Sequence, residues 1–140
     1  MSFVVDCSVA LAWFAPDEEF TDAEDLYADA IASGALVPFH WRAEFANGLL
    51  MMVRRKRAGQ TFPAAAFASI EKLTLEIDYE SLAQVDRASM SLAIEHDLTI
   101  YDSIYLETAL RRAVPLATLD KKLAGAARKE GLSVLGLRPS

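Results

Sequence analysis

The stretch Phe3-Val4-Val5-Asp6-Cys7-Ser8-Val9-Ala10-Leu11-Ala12-Trp13-Phe14-Ala15 decides the fold. Its first three residues are β-favouring and apolar, and they stop at an acid. A nearly continuous apolar run follows and is ended by Pro16. A buried strand feeding straight into a buried helix is the opening half of a βαβ unit. Asp6, between the two, falls where open parallel sheets bind ligands, at the carboxyl end of a strand.

The same alternation continues along the chain. Residues 21–33 read as a helix with Asp22, Glu24 and Asp25 in its first turn, where the helix dipole favours anions, and Gly34 ends it. Leu36-Val37-Pro38 is a strand, and Trp41 to Arg57 a helix with Phe45, Leu49, Met52 and Val53 on one face, closed by Gly59. Pro63 opens a helix to about Leu73, and Leu75-Glu76-Ile77 is a strand. A long helix is expected from Leu82 to His96. Leu98-Thr99-Ile100-Tyr101 is a short strand or a tight connection, after which Asp102 caps a helix to Arg112. Leu116-Ala117-Thr118-Leu119 is a strand, Asp120 caps a helix ending before Gly131, and Ser133-Val134-Leu135 is the last strand. Strands separated by helices, with no tight hairpins, predict an α/β fold with a parallel sheet covered on both faces. No linker or repeat interrupts the 140 residues, so a single domain spanning 1–140 is expected.

Asp6, Asp102 and Asp120 each precede a helix, and Glu44 sits in a first turn outside the apolar stripe. Taken singly, each is an ordinary cap or dipole partner. Together they mean more. Carboxylates projecting to one rim repel and raise one another's pKa values unless a cation lies among them. Mg²⁺ suits an all-oxygen set, whereas no His or Cys pair offers the nitrogen and sulfur ligands of zinc. A divalent ion in such a cup can activate water against a phosphodiester.

The segments Val5-Asp6-Cys7-Ser8, Glu44-Phe45-Ala46-Asn47, Tyr101-Asp102-Ser103-Ile104-Tyr105-Leu106 and Ala117-Thr118-Leu119-Asp120-Lys121-Lys122-Leu123 resemble the PIN-domain nucleases, and among them the VapC-type toxins of bacterial toxin–antitoxin pairs. The resemblance covers essentially the whole chain, with four motifs in order. It implies a three-layer α/β/α sandwich around a short central parallel sheet. It makes Asp6, Glu44, Asp102 and Asp120 the acidic metal quartet, with Ser8 and Thr118 as hydroxyl partners. The implied activity is Mg²⁺- or Mn²⁺-dependent endonucleolytic cleavage of RNA, blocked by a cognate antitoxin, in a homodimer. Family members often carry small residues where this chain has Ser103 and Glu107; Glu107, more than one turn past Asp102, is expected to face solvent.

With a formal charge of −6, the chain should repel nucleic acid at long range. Contacts to RNA must then come from local cations. Arg54-Arg55-Lys56-Arg57 is the densest run, although basic residues also complement the end of a helix, and Lys121-Lys122 adjoins Asp120. His96 reads as a favourable cation at a helix end, and His40 receives no role. Trp13 and Phe14 read as core, Cys7 as a small buried thiol, and Asp17-Glu18-Glu19 as a solvated turn. A lone cysteine, no basic-then-apolar leader and no membrane-length apolar run lead to a cytoplasmic expectation.

Three other readings compete. A phosphoacceptor receiver domain would need an acidic pair after the first strand and a Lys after the last, but Asp6 is followed by Cys7 and Leu135 by Gly136. A PIN nuclease for RNA processing that is not a toxin would share every motif. So would a non-catalytic RNA- or protein-binding module of the same fold.

Overall fold

The structure, a computed structural model, describes residues 2–15, 20 and 22–137. Pro16, the Asp17-Glu18-Glu19 turn and Thr21 lie outside the described residues.

Five strands form one parallel sheet in the order β3-β2-β1-β4-β5. They are β1 (Val4–Val5), β2 (Ala35–Pro38), β3 (Leu75–Asp78), β4 (Leu116–Ala117) and β5 (Val134–Leu135). The central strand pairs Val4 with Leu36 on one side and with Leu116 on the other. β1, β2 and β4 are buried throughout, as continuous apolar runs require when helices cover both faces. The helices are α1 (Cys7–Phe14), α2 (Ala23–Ala32), α3 (Trp41–Arg54), α4 (Phe62–Ile70), α5 (Glu80–Ala83), α6 (Met90–His96), α7 (Ile100–Arg112) and α8 (Lys121–Lys129).

Chain order builds outward from β1 through β2 to β3, then crosses back to lay down β4 and β5 on the other side. The reversal falls between β1 and β4, so the carboxyl ends of these two strands flank the topological switch point, the position where such sheets form a crevice. Asp6 follows β1, and Thr118 to Asp120 follow β4.

Local chemistry sets most element boundaries. Asp6 and Asp120 cap α1 and α8 by accepting from the N–H groups of Val9 and Leu123. Gly34 takes φ +90° after α2, a conformation that favours glycine. Gly48 faces Leu11, and a Cβ there would run into the Leu11 side chain, so a glycine lets α3 lie close to α1. Trp41 stacks on Phe45 with ring centroids 5.0 Å apart, and both are buried with Leu49, Leu106, Leu116 and Leu123. Each such side chain contributes about 1.5–3 kcal/mol by leaving water. Trp13 and Phe14 pack against this core while partly exposed.

Several boundaries differ from the sequence expectation. α3 stops at Arg54 instead of Arg57, and Lys56, not Gly59, takes the left-handed turn at φ 58°. α4 ends at Ile70 rather than Leu73. The expected long helix is broken: α5 and α6 are separated by an irregular turn over Val85–Ser89, with Arg87 at φ −123° and ψ −109°. No Gly or Pro marks that break. Of the two readings of residues 98–101, Leu98 and Thr99 follow the tight connection, and Ile100 already begins α7. β4 covers only Leu116–Ala117; Thr118 N still donates to Leu135 O at 3.1 Å, while the Thr118 hydroxyl donates to Asp6 and accepts from Asp120 N.

Candidate active site

Asp6 is 5% exposed and anchors the centre. Its Oδ1 accepts from Ser8 Oγ at 2.6 Å and from Val9 N at 3.1 Å, and its Oδ2 accepts from Thr118 Oγ1. Leu119 N in turn donates to Ser8 Oγ at 2.9 Å, and Asp120 N donates to Thr118 Oγ1 at 3.0 Å. The two hydroxyls thus stitch the end of β1 to the end of β4. Glu44, in the first turn of α3, accepts from the Tyr105 hydroxyl of α7 at 2.6 Å. Asp102 lies in the first turn of α7, but Thr99 is that helix's cap and accepts from Asp102 N at 3.1 Å. Asp102 therefore does not cap α7 and leaves its carboxylate free of that duty.

The electrostatics couple these groups. Burial pushes the Asp6 carboxyl up to about 6; the Ser8, Thr118 and Val9 hydrogen bonds pull it down, and the Asp102 charge pushes it further up. Asp102 also rises to about 6, first through burial and then through the charges of Asp120 and Glu44, with Thr99 and Lys122 opposing. Burial is the larger cause at both, and the charges that add to it come from other acids of this set, so these carboxylates lie within electrostatic reach of one another.

The donor set is all oxygen and suits a hard divalent ion. No three of these carboxylates approach within 4.8 Å of one another; among the described residues, the group that does is Glu95, His96 and Glu130. An ion content with one or two direct carboxylates plus waters needs no tighter cage. His96 Nε2 lies 2.7 Å from Glu130 Oε2, so the ring ties the end of α6 to the end of α8 in addition to facing the helix dipole.

The basic residues divide. Lys121 and Lys122 are exposed beside Asp120, and Lys122 Nζ lies 3.1 Å from Asp97 Oδ2. Arg54 is ten residues beyond Glu44 on α3, a rise of about 15 Å, so the Arg54-Arg55-Lys56-Arg57 run lies at the other end of that helix from the acids.

Glu107 is buried at 3% exposure and does not face solvent; it pairs with Arg111 Nε at 2.6 Å. It belongs to a second network around Asp78, the acid that ends β3. Arg111 Nη2 and Arg112 Nη1 donate to Asp78 at 2.7 and 2.8 Å, and Ser81 N donates to it at 2.9 Å. Asp78 fits the strand-then-acid pattern as well as Asp6 does, but its partners are guanidinium groups. His40, given no role from sequence, packs between Tyr101 and Tyr105 with its Nε2 3.8 Å from Glu44 Oε2. Cys7 is buried against Trp41 O and the Tyr105 hydroxyl, and burial pushes its thiol up, so it is no nucleophile.

Thr118→Val keeps the shape of the side chain while removing its hydroxyl. The Asp120 N–H and one Asp6 oxygen then lose their partners. A loss of about 2 kcal/mol in urea unfolding is expected, together with an activity drop of about 10- to 100-fold from a misoriented Asp6.

Residues 3–129 match the family model described as PIN domain. The chain is 28% identical over 124 residues to Ribonuclease VapC3 of Pyrobaculum aerophilum, covering 89% of this chain and 93% of that relative. Among solved structures, PAE2754 from Pyrobaculum aerophilum superposes with a TM-score of 0.69 at 20% identity, over 96% of this chain and 90% of that one. Mycobacterium tuberculosis VapC20, a sarcin-ricin loop cleaving toxin, gives 0.67 at 17% identity, over 99% and 100% of the two chains. FitAcB from Neisseria gonorrhoeae gives 0.65 at 15% identity, over 96% of each chain. At these identities the structural likeness speaks for the fold alone.

Proposed function

The chain belongs to the PIN domain family, and from that premise we propose that it is a Mg²⁺-dependent endoribonuclease, the toxin of a toxin–antitoxin pair. The observation that supports the proposal most is that Asp6 and Asp102 are both raised by burial, with the charges of other rim acids adding to the rise. Asp120 and Glu44 raise Asp102, and Asp102 raises Asp6. A divalent cation among them would cancel a repulsion the fold otherwise sustains at neutral pH.

Asp6, Glu44, Asp102 and Asp120 would hold the ion, with Mn²⁺ as a substitute for Mg²⁺. When bound, the ion would supply an activated water and offset charge on the phosphate under in-line attack. The chain's own residues prepare the place. Ser8 and Thr118 fix the two Asp6 oxygens, and the Tyr105 hydroxyl holds Glu44. Lys121 and Lys122 are exposed next to Asp120 and are suited to a backbone phosphate. The Arg54–Arg57 run would grip the RNA strand farther from the cut.

The relatives support the substrate and the toxin role: one is a ribonuclease and another a sarcin-ricin loop cleaving toxin. An antitoxin protein is therefore the expected inhibitor. A homodimer finds support in exposed apolar side chains on α5 and α6, among them Leu82 at 60% and Ile94 at 76%. No helix among the described residues is long and apolar enough to cross a membrane, and a cytoplasmic site of action is part of the proposal.

Digestion of total cellular RNA tests this directly. Discrete cuts are expected with Mg²⁺, lost with chelator and restored by Mn²⁺. RNA left intact at micromolar enzyme and millimolar Mg²⁺ would reject the nuclease reading. Relief of growth arrest by the protein of a neighbouring short reading frame tests the toxin role, and a cleaving enzyme with no such inhibitor points instead to RNA processing.

A further inference from the structure

Tyr101 immediately precedes Asp102 in the first turn of α7, and it is 60% exposed. Its ring is not loose. It lies near-parallel to His40, at 26° with centroids 6.3 Å apart, and His40 in turn lies 5.0 Å from the Tyr105 ring. The Tyr105 hydroxyl ends the series by donating to Glu44. Three rings thus run from solvent to a rim carboxylate, each supported by the next. Neither ring nitrogen of His40 makes a hydrogen bond, although Nε2 lies 3.8 Å from Glu44 Oε2, and the faces of the imidazole pack against the two tyrosines.

An exposed, braced aromatic beside an acidic cup meets a need of this particular chain. With a net charge of −6, its longest basic run about 15 Å along α3 from Glu44, and Lys122 beside Asp97, the chain has few cations besides Lys121 to attract phosphate near the cut. Stacking on a base face does not depend on charge, and a ring already held in place loses little freedom on binding. We infer that Tyr101, backed by His40, is the platform on which an unpaired base of single-stranded RNA stacks next to the scissile phosphate. The inference rests on the ribonuclease proposal and adds to it the residue that holds the RNA beside the cut.

The test places Tyr101→Ala, Tyr101→Phe and Tyr101→Trp in an Asp120→Asn background, which prevents cleavage. A single-stranded RNA carrying 2-aminopurine is titrated with each in Mg²⁺, and sedimentation velocity is recorded in parallel. Tyr101→Ala is expected to weaken binding about 5- to 100-fold and to abolish quenching of the 2-aminopurine. Tyr101→Phe and Tyr101→Trp should stay within about threefold of the Asp120→Asn parent, with sedimentation unchanged. Binding of Tyr101→Ala within twofold of the parent overturns the inference. So does an Ala variant that loses self-association while its RNA affinity holds, which would make Tyr101 an interface residue. If wild type cuts no RNA and the parent binds none, the ribonuclease proposal itself falls, a result distinct from either of these.

Discussion

Asp102→Asn is expected to lower RNA cleavage by a factor of about 10³ or more while making the metal-free protein more stable at neutral pH. The loss corresponds to about 4 kcal/mol of transition-state stabilisation, in the range a divalent ion supplies to phosphoryl chemistry. The gain follows from linkage. Asp102 titrates at about 6 in the folded protein against an ordinary 3.8. The native state therefore holds this proton more tightly than the unfolded chain, and stability falls as pH rises from about 4 to about 6. Above that window the folded protein carries the full cost of a charge that is first buried and then repelled by Asp120 and Glu44; below it both states are protonated and the cost vanishes. Two pK units convert to ~3 kcal/mol, and partial exposure of Asp102 reduces this to roughly 1–2 kcal/mol. For a chain of this size the variant should melt about 3–6 °C higher near pH 7.5, with no gain near pH 4. Thermal denaturation in chelator at the two pH values checks the sign. An Asn variant that is less stable at pH 7.5 would show that Asp102 is held by favourable partners, contrary to the shared-cup account.

Asp78→Ala carries the largest expected cost in stability. The Asp78 side chain is 1% exposed and takes hydrogen bonds from two guanidinium groups and from Ser81 N. Burial raises its carboxyl, but the Arg111 and Arg112 hydrogen bonds win and hold it below the usual range. Removing one member of a buried ion pair costs about 3–5 kcal/mol. Arg111 keeps Glu107 and Arg112 keeps Glu76 after the change, so the lower end, about 3 kcal/mol, is expected. Urea unfolding at neutral pH measures it. With a depressed folded pKa, this contribution exists above about pH 4 and is lost as pH falls through the folded value, so wild type and variant should converge in acid. A difference under about 1 kcal/mol at pH 7 would mean that the network is only a surface ornament. The consequence reaches the catalytic rim, because Ser81 Oγ donates to the Asp78 carbonyl and accepts from Phe39 N, holding the turn that leads into His40 and Glu44.

The sheet was legible from residues because its strands are short apolar runs ended by turns and acids, and that is a local signal. Asp6, Ser8, Thr118 and Asp120 are linked in the structure because two of those runs become neighbours; a parallel sheet alone does not say which strands pair, and Ser8 and Thr118 were indicated by the family resemblance. What escaped is set by distant partners. Glu107 looked solvated by helical period, yet Arg111 and the Asp78 network bury it; its spacing of four from Arg111 was the available hint. Asp102 looked like a cap because it follows a β-rich run, but Thr99 lies three residues ahead and is an equally good capping residue. The break at Arg87 has no Gly or Pro to announce it. His40 had no sequence signal at all, since its role is to sit between two tyrosines from another helix.

The hydroxyl that fixes Asp6 comes from Thr118, 112 residues later, and the one that holds Glu44 comes 61 residues later. Closing such spans is a late event in folding. A polypeptide still leaving the ribosome has its first acid exposed long before the fourth has been synthesised. If the finished protein degrades RNA, a nascent copy therefore cannot do so until the segment holding Asp120 has been made and has folded back against the first strand. The order of segments in the sheet would then act as a delay on that activity.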